Sequence, residues 1–177
     1  MRLNGALLAV ATCLVLFVTG SAIAAAEPGD SNASLKGTYR IFTQTSGVGS
    51  TAHFYFVGVI TYDGHGHARM TDRGTLIDSN GDSNSTTAPP SFGETGILTY
   101  AVKRDGSFTQ EGIFTSNPDE SYQYRTTGIK WVGQIGADGS VLILSGAIPT
   151  EPSTFCDSQC SLRFGGFSGT AVRIRHE

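Results

Sequence analysis

From residue 36 onward, apolar and polar residues alternate with a period of two, the spacing of strands that turn one face toward a core. Eight such runs stand out, over 36–45, 53–62, 67–77, 94–103, 107–115, 121–135, 140–148 and 164–175. None carries a helical period longer than one turn. Several short strands joined by turn signals predict a sandwich or a barrel. Each run also holds an interior glycine: Gly37, Gly58, Gly74, Gly96, Gly112, Gly128, Gly146 and Gly169. One bend per strand is what a sheet needs to coil and close on itself. The expected fold is all-β, a single closed or nearly closed antiparallel up-and-down barrel of about eight strands.

Turn chemistry sets the register of two hairpins. Arg104-Asp105-Gly106 reads as a three-residue loop ending in a left-handed glycine. Lys103 then pairs with Ser107, and Leu98, Tyr100 and Val102 share a face with Phe108, Gln110 and Phe114. Gly96 falls opposite Phe114, and Gly112 opposite Leu98. Gly64-His65-Gly66 joins Asp63 to His67 in the same way, pairing Phe56 with Gly74, Gly58 with Asp72 and Ile60 with Met70. The inner face then carries Phe54, Phe56, Ile60, Met70 and Leu76, while Arg69 and Arg73 point outward. Ala137-Asp138-Gly139 repeats the turn chemistry, and Asp78 to Phe92 forms a long polar loop.

The N-terminus breaks the pattern. Arg2, the apolar run Ala6 to Val18 and the small residues Ser21 to Ala26 read as a cleaved export signal, with cleavage after Ala24 or Ala26. The division expected is a signal peptide over 1–26, a polar leader over 27–35 and a barrel over 36–177, secreted or periplasmic. The run is shorter than the ~20 residues of a spanning helix, so no stable membrane insertion is expected. Cleavage after Ala26 leaves 151 of the 177 residues, enough for one domain with one core. The mature chain then has 11 basic and 15 acidic residues, a formal charge of −4, which disfavours nucleic acid as a partner. Cys156 and Cys160 remain, and in an exported domain they read as a disulfide stapling the loop before the last strand. Three residues separate them, one more than in the usual redox pair.

Candidate chemistry is sparse. In the register above, Asp72, Tyr100 and Gln110 lie on the apolar face among Phe56, Met70 and Phe108, where a buried carboxylate has a raised pKa. Asp72 and Tyr100 are the acid–base candidates, and Phe56, Met70, Asp72, Tyr100 and Gln110 the ligand-binding candidates. Asp78, Asn80, Asp82 and Asn84 alternate like a calcium loop, but Ser83 and Pro89 occupy its glycine and bidentate-acid positions. His65 and His67 form a pair at a hairpin tip that lacks the further ligands a zinc site needs. No Gly-x-Ser-x-Gly elbow is present. No metal and no cofactor are expected. Tyr122, Tyr124 and Trp131 read as core or stacking aromatics, and Asn32-Ala33-Ser34 and Asn84-Ser85-Thr86 match the glycosylation pattern.

Leu35-Lys36-Gly37-Thr38-Tyr39, then Gly58-Val59-Ile60-Thr61-Tyr62-Asp63-Gly64-His65-Gly66, resemble the openings of small secreted bacterial proteins of unknown function. Leu98 to Val102 followed by Asp105-Gly106-Ser107 resembles the next hairpin of that group. The resemblance implies an eight-stranded barrel of the calycin or allene-oxide-cyclase-like kind, with no established activity. Gly37-x-Tyr39 also resembles the lipocalin Gly-x-Trp signature, with tyrosine in place of tryptophan and Arg173 as a partner from the last strand. The leading expectation is a secreted, non-enzymatic barrel that binds a small apolar or amphipathic ligand. The alternatives are a cofactor-free cyclase or isomerase using the barrel mouth, and an extracellular surface or matrix protein acting through the 78–92 loop.

Overall fold

The computed structural model describes residues 31–47, 52–78, 91–148 and 151–174. A 3-10 turn, η1 (Ser31–Ser34), precedes β1 (Lys36–Gly47), β2 (Ala52–Asp63), β3 (His67–Asp78), β4 (Ser91–Val102), β5 (Ser107–Ser116), β6 (Arg125–Ile135), β7 (Val141–Gly146), β8 (Glu151–Cys156) and β9 (Cys160–Arg173). Neighbouring strands pair antiparallel in chain order, and β9 returns to β1. β7 and β8 both lie between β6 and β9, end to end, so nine segments fill eight positions of a closed barrel. Among the described residues no helix is long and apolar enough to cross a membrane.

Both hairpin registers expected from the turns are present: Phe56 faces Gly74, Gly58 faces Asp72, Ile60 faces Met70, Gly96 faces Phe114 and Leu98 faces Gly112. The Lys103 N–H donates to the Ser107 carbonyl at 2.7 Å across the Arg104-Asp105-Gly106 loop, where Gly106 has the left-handed φ of 80° that the turn demands. Leu98, Tyr100, Val102, Phe108, Gln110 and Phe114 are all buried, and Arg69 and Arg73 are exposed.

Several boundaries differ from the alternation pattern. The run 121–135 becomes strand only at Arg125, because residues 117–124 fold back as a loop. The run 94–103 extends back to Ser91. The run 140–148 stops at Gly146, and a strand not expected from the pattern, β8, continues its course. β9 begins at Cys160 instead of residue 164 and is long enough to pair β8 with its first half and β7 with its second. The Cys156–Cys160 disulfide staples the 157–159 loop ahead of the last strand, as expected, and the residues it joins face each other in the β8–β9 hairpin.

The two ends of the barrel differ. At the base, short turns over 64–66, 103–106 and 136–140 meet η1 and the fully buried Leu35. Tyr100 there donates its hydroxyl to the Leu35 carbonyl at 2.8 Å and accepts the Gly64 N–H at 2.9 Å. The Asn32 side chain accepts the Val102 N–H at 2.8 Å, so it serves as a structural cap. Arg173 donates to the Lys36 carbonyl and lies over the Tyr39 ring at 5.8 Å, as the Gly37-x-Tyr39 motif suggested. Tyr39, Ile41, Ile60, Tyr62, Met70, Leu98, Phe108, Leu142 and Leu144 fill this half. Each such side chain contributes about 1.5–3 kcal/mol by leaving water. The opposite end carries the loops 117–124 and 157–159 and the strand ends at Gly47, Ala52, Asp78 and Ser91.

Candidate functional site

At that second end, inward side chains are aromatic but only half-buried: Phe54, Phe56, Phe92, Phe155 and Phe167. Phe56 and Phe92 come from β2 and β4 and meet over Gly74 of the strand between them, their ring centroids 5.8 Å apart. Phe92 also contacts Phe54 at 6.1 Å and Tyr124 at 5.8 Å, and Tyr124 stacks on Phe155 at 5.3 Å. Trp131 stacks on Phe167 at 4.1 Å, deeper in the wall. These rings form a collar around the barrel mouth.

Beneath the collar lie two carboxylates. Asp72 on β3 faces Glu94 on β4, and the two are 7% and 8% exposed. Asp72 finds room because its other neighbour is Gly58, where a Cβ would stand 2.4 Å from the Asp72 Cβ. Glu94 accepts the Tyr124 hydroxyl at 2.6 Å. Neither oxygen of Asp72 has a donor, so only a proton can join it to Glu94, itself an acceptor. Burial, together with the neighbouring carboxylate, raises the Asp72 pKa far above the usual range. Burial also raises that of Glu94, while the Tyr124 hydrogen bond opposes the rise. The pair therefore holds a proton at neutral pH, with Asp72 its principal owner. Burial and the adjacent Glu94 drive Tyr124 strongly upward, so the phenol stays a donor.

The 117–124 loop is what carries Tyr124 to this place. The Asn117 N–H donates to the Gly93 carbonyl at 2.9 Å, and the Gly93 N–H donates to Glu120 Oε1 at 2.6 Å. A Cβ on Gly93 would stand 2.4 Å from the Asn117 side chain, so glycine lets the loop dock beside Glu94. Gln123 ties the loop internally, donating to the carbonyls of Asn117 at 3.0 Å and Glu120 at 2.7 Å. Tyr124 N–H then donates to Ser116 Oγ at 3.0 Å, closing the turn with the phenol aimed inward.

Of the residues singled out in the sequence, Phe56 and Asp72 belong to this end. Tyr100 lies six residues along β4 from Glu94, about 20 Å away at strand rise, and works in the base. Gln110 accepts the Tyr62 hydroxyl at 2.8 Å and sits with Met70 in the packed half. Asp72 and Tyr100 are thus not brought together. Glu94 is the missing partner, and the sign of it was an acidic residue at the start of an alternating run. Tyr122 lies outside the barrel, bonded to Asp157. His65 and His67 are exposed turn residues whose N–H groups donate to Asp63 Oδ1 at 2.6 and 3.0 Å, holding that carboxylate below its usual pKa. Among the described residues no three His, Cys, Asp or Glu side chains converge as a metal site. Residues 79–84 of the calcium-like run lie outside the described residues. Two clefts of about 340 and 430 Å³ lie on the outer wall, along β5–β7 and β2–β3 respectively.

The fold and site together define a closed eight-position antiparallel barrel with a packed base, an aromatic mouth and a buried acidic pair. No protein-family model and no curated protein sequence matches this chain. Among solved structures it is similar to the S-type phycobiliprotein lyase CPES from Guillardia theta, with a TM-score of 0.35 and 10% identity over 82% of this chain and 92% of that one.

Proposed function

We propose that this is an exported binding barrel that takes a small amphipathic molecule at its aromatic mouth, its apolar part held among Phe54, Phe56, Phe92 and Phe155. The observation that carries this reading is the contrast between the two halves. In the base nearly every ring is fully buried and every phenol has a partner, whereas at the mouth Phe54, Phe56, Phe92, Phe155 and Phe167 are only half-buried, beside the buried Tyr124 and Trp131. Apolar rings converging at one end of a barrel are the ordinary furniture of a small-molecule site. The packed base favours a site at the mouth over a deep calyx, and on this reading Met70, Tyr100 and Gln110 support the wall without touching the ligand.

Titration with the neutral fluorescent probe N-phenyl-1-naphthylamine tests this. One saturable site is expected, abolished in Phe92→Ser, together with a retained small molecule in native mass spectra of protein exported by its own host. No probe binding and no retained molecule would overturn it. A second reading, a cofactor-free isomerase, is favoured by the proton that Asp72 and Glu94 share, a group suited to general acid–base transfer. Its catalytic pair is Asp72 and Glu94 in place of Asp72 and Tyr100, and turnover by an Asp72→Asn variant would eliminate it.

A further inference from the structure

We infer that the molecule held at the mouth carries a protonated amine, and that its ammonium group docks on Asp72 and Glu94 beneath the aromatic collar. This rests on the aromatic-mouth reading and adds to it the chemistry of the head group. The starting point is an electrostatic imbalance. Asp72 and Glu94 are each more than nine-tenths buried, and both Asp72 oxygens lack a donor. A buried carboxylate is ordinarily paired, hydrogen-bonded or metal-bound, because an uncompensated one costs several kcal/mol. Among the described residues neither carboxylate has an ion pair with Lys, Arg or His.

The described cations nearest this end are engaged elsewhere: Arg163 lies over the Phe155 ring at 3.6 Å, Arg73 donates to Ser91 and His53 is bonded to Ser46. In the free protein only a proton satisfies the pair. A cationic ligand would replace that proton and meet acceptors that nothing else uses.

The surroundings choose an organic cation over a metal ion. Two carboxylates and one phenol fall short of the six to eight oxygens that calcium takes, and magnesium would need to bring most of its water into an aromatic collar. An ammonium group needs only two or three acceptors at one face. Its remaining surface is welcomed by ring faces, which attract cations. Phe56 and Phe92 meet over Gly74, one inward row above the acidic pair, and Tyr124 touches Glu94 itself. Tyr124 occupies Glu94 Oε2, and both Asp72 oxygens are left for the incoming N–H groups.

A matched series tests the head group alone: 2-phenylethylamine, 2-phenylethanol and phenylacetate, titrated at pH 7 by calorimetry and by NMR. The amine is expected to bind about tenfold or more tightly than the alcohol, the size of one hydrogen bond to a charged group, with phenylacetate weakest. In Asp72→Asn and in Glu94→Gln the amine-to-alcohol ratio should fall to near one. Equal affinity of all three for the native protein overturns the amine inference while leaving the aromatic mouth standing. An amine preference that survives both variants overturns it as well, since the cation is then held elsewhere on an acidic surface. No binding by any of the three, with the variants folded, removes the mouth reading along with it.

Discussion

Raising the pH from 5 to 7 should weaken this barrel, and Asp72→Asn should lessen that loss. In an unfolded chain Asp and Glu release their protons near pH 4. In the barrel, burial and the adjacent carboxylate push Asp72 up to about 9, and burial pushes Glu94 up to about 7. Between those limits the native state keeps protons that the unfolded state has lost. Stability is therefore fully present below about pH 4 and falls as pH rises toward about 9. One retained proton is worth about 1.4 kcal/mol per pH unit, so a single shared proton costs about 3 kcal/mol between pH 5 and 7. That is a large share of the ~5–15 kcal/mol typical of a domain. Asparagine keeps the shape of Asp72, carries no charge and can donate its amide to Glu94. Urea denaturation followed by Trp131 fluorescence at pH 5, 6, 7 and 8 reads the effect. The native midpoint should drop steadily, while the variant's drops less steeply, since only Glu94 is left to lose a retained proton. Parallel curves, or a native protein that gains stability with pH, would refute a protonated Asp72–Glu94 pair.

Gly58→Ala would place a Cβ 2.3 Å from the Thr71 carbonyl oxygen and 2.4 Å from the Asp72 Cβ. The resulting shift of β2 against β3 should cost about 1–3 kcal/mol by chemical denaturation, and an unchanged midpoint would show that the acidic pair does not need this gap. The double variant Cys156→Ser/Cys160→Ser opens a loop closed at a sequence separation of 4, worth about 2 kcal/mol of chain entropy. It should remain folded with a midpoint lowered by that amount, whereas outright unfolding would mean that the β8–β9 hairpin depends on the bridge. Intact-mass analysis of the protein recovered from its host should give an N-terminus at Ala25 or Glu27. A retained Met1 would contradict export through a cleaved signal.

The barrel was legible wherever a short turn joined two strands. Gly64-His65-Gly66 and Arg104-Asp105-Gly106 leave a hairpin one register, so the facing of Gly58 with Asp72 and of Leu98 with Gly112 could be read from local chemistry. The site was only half legible. Asp72 pointed inward by alternation alone, but its partner Glu94 is reached through the long 78–92 connection, and a loop of that length sets no register. Tyr124 was hidden for a different reason. Residues 121–124 alternate like a strand, and only the docking of Asn117 and Glu120 on Gly93 turns them into a loop.

The sequence by itself determined the strand period, the tight turns and the bends, because each depends on side chains within a few residues of one another. Only the tertiary structure decided that Tyr100 belongs to the base and Asp72 to the mouth, since alternation assigns a face and says nothing of depth along it. It also decided that β7 and β8 share one position of the barrel and that two carboxylates meet without a cation. Those outcomes rest on which distant strands lie side by side when the sheet closes, and the free energy that selects them comes from packing and burial shared by the whole barrel.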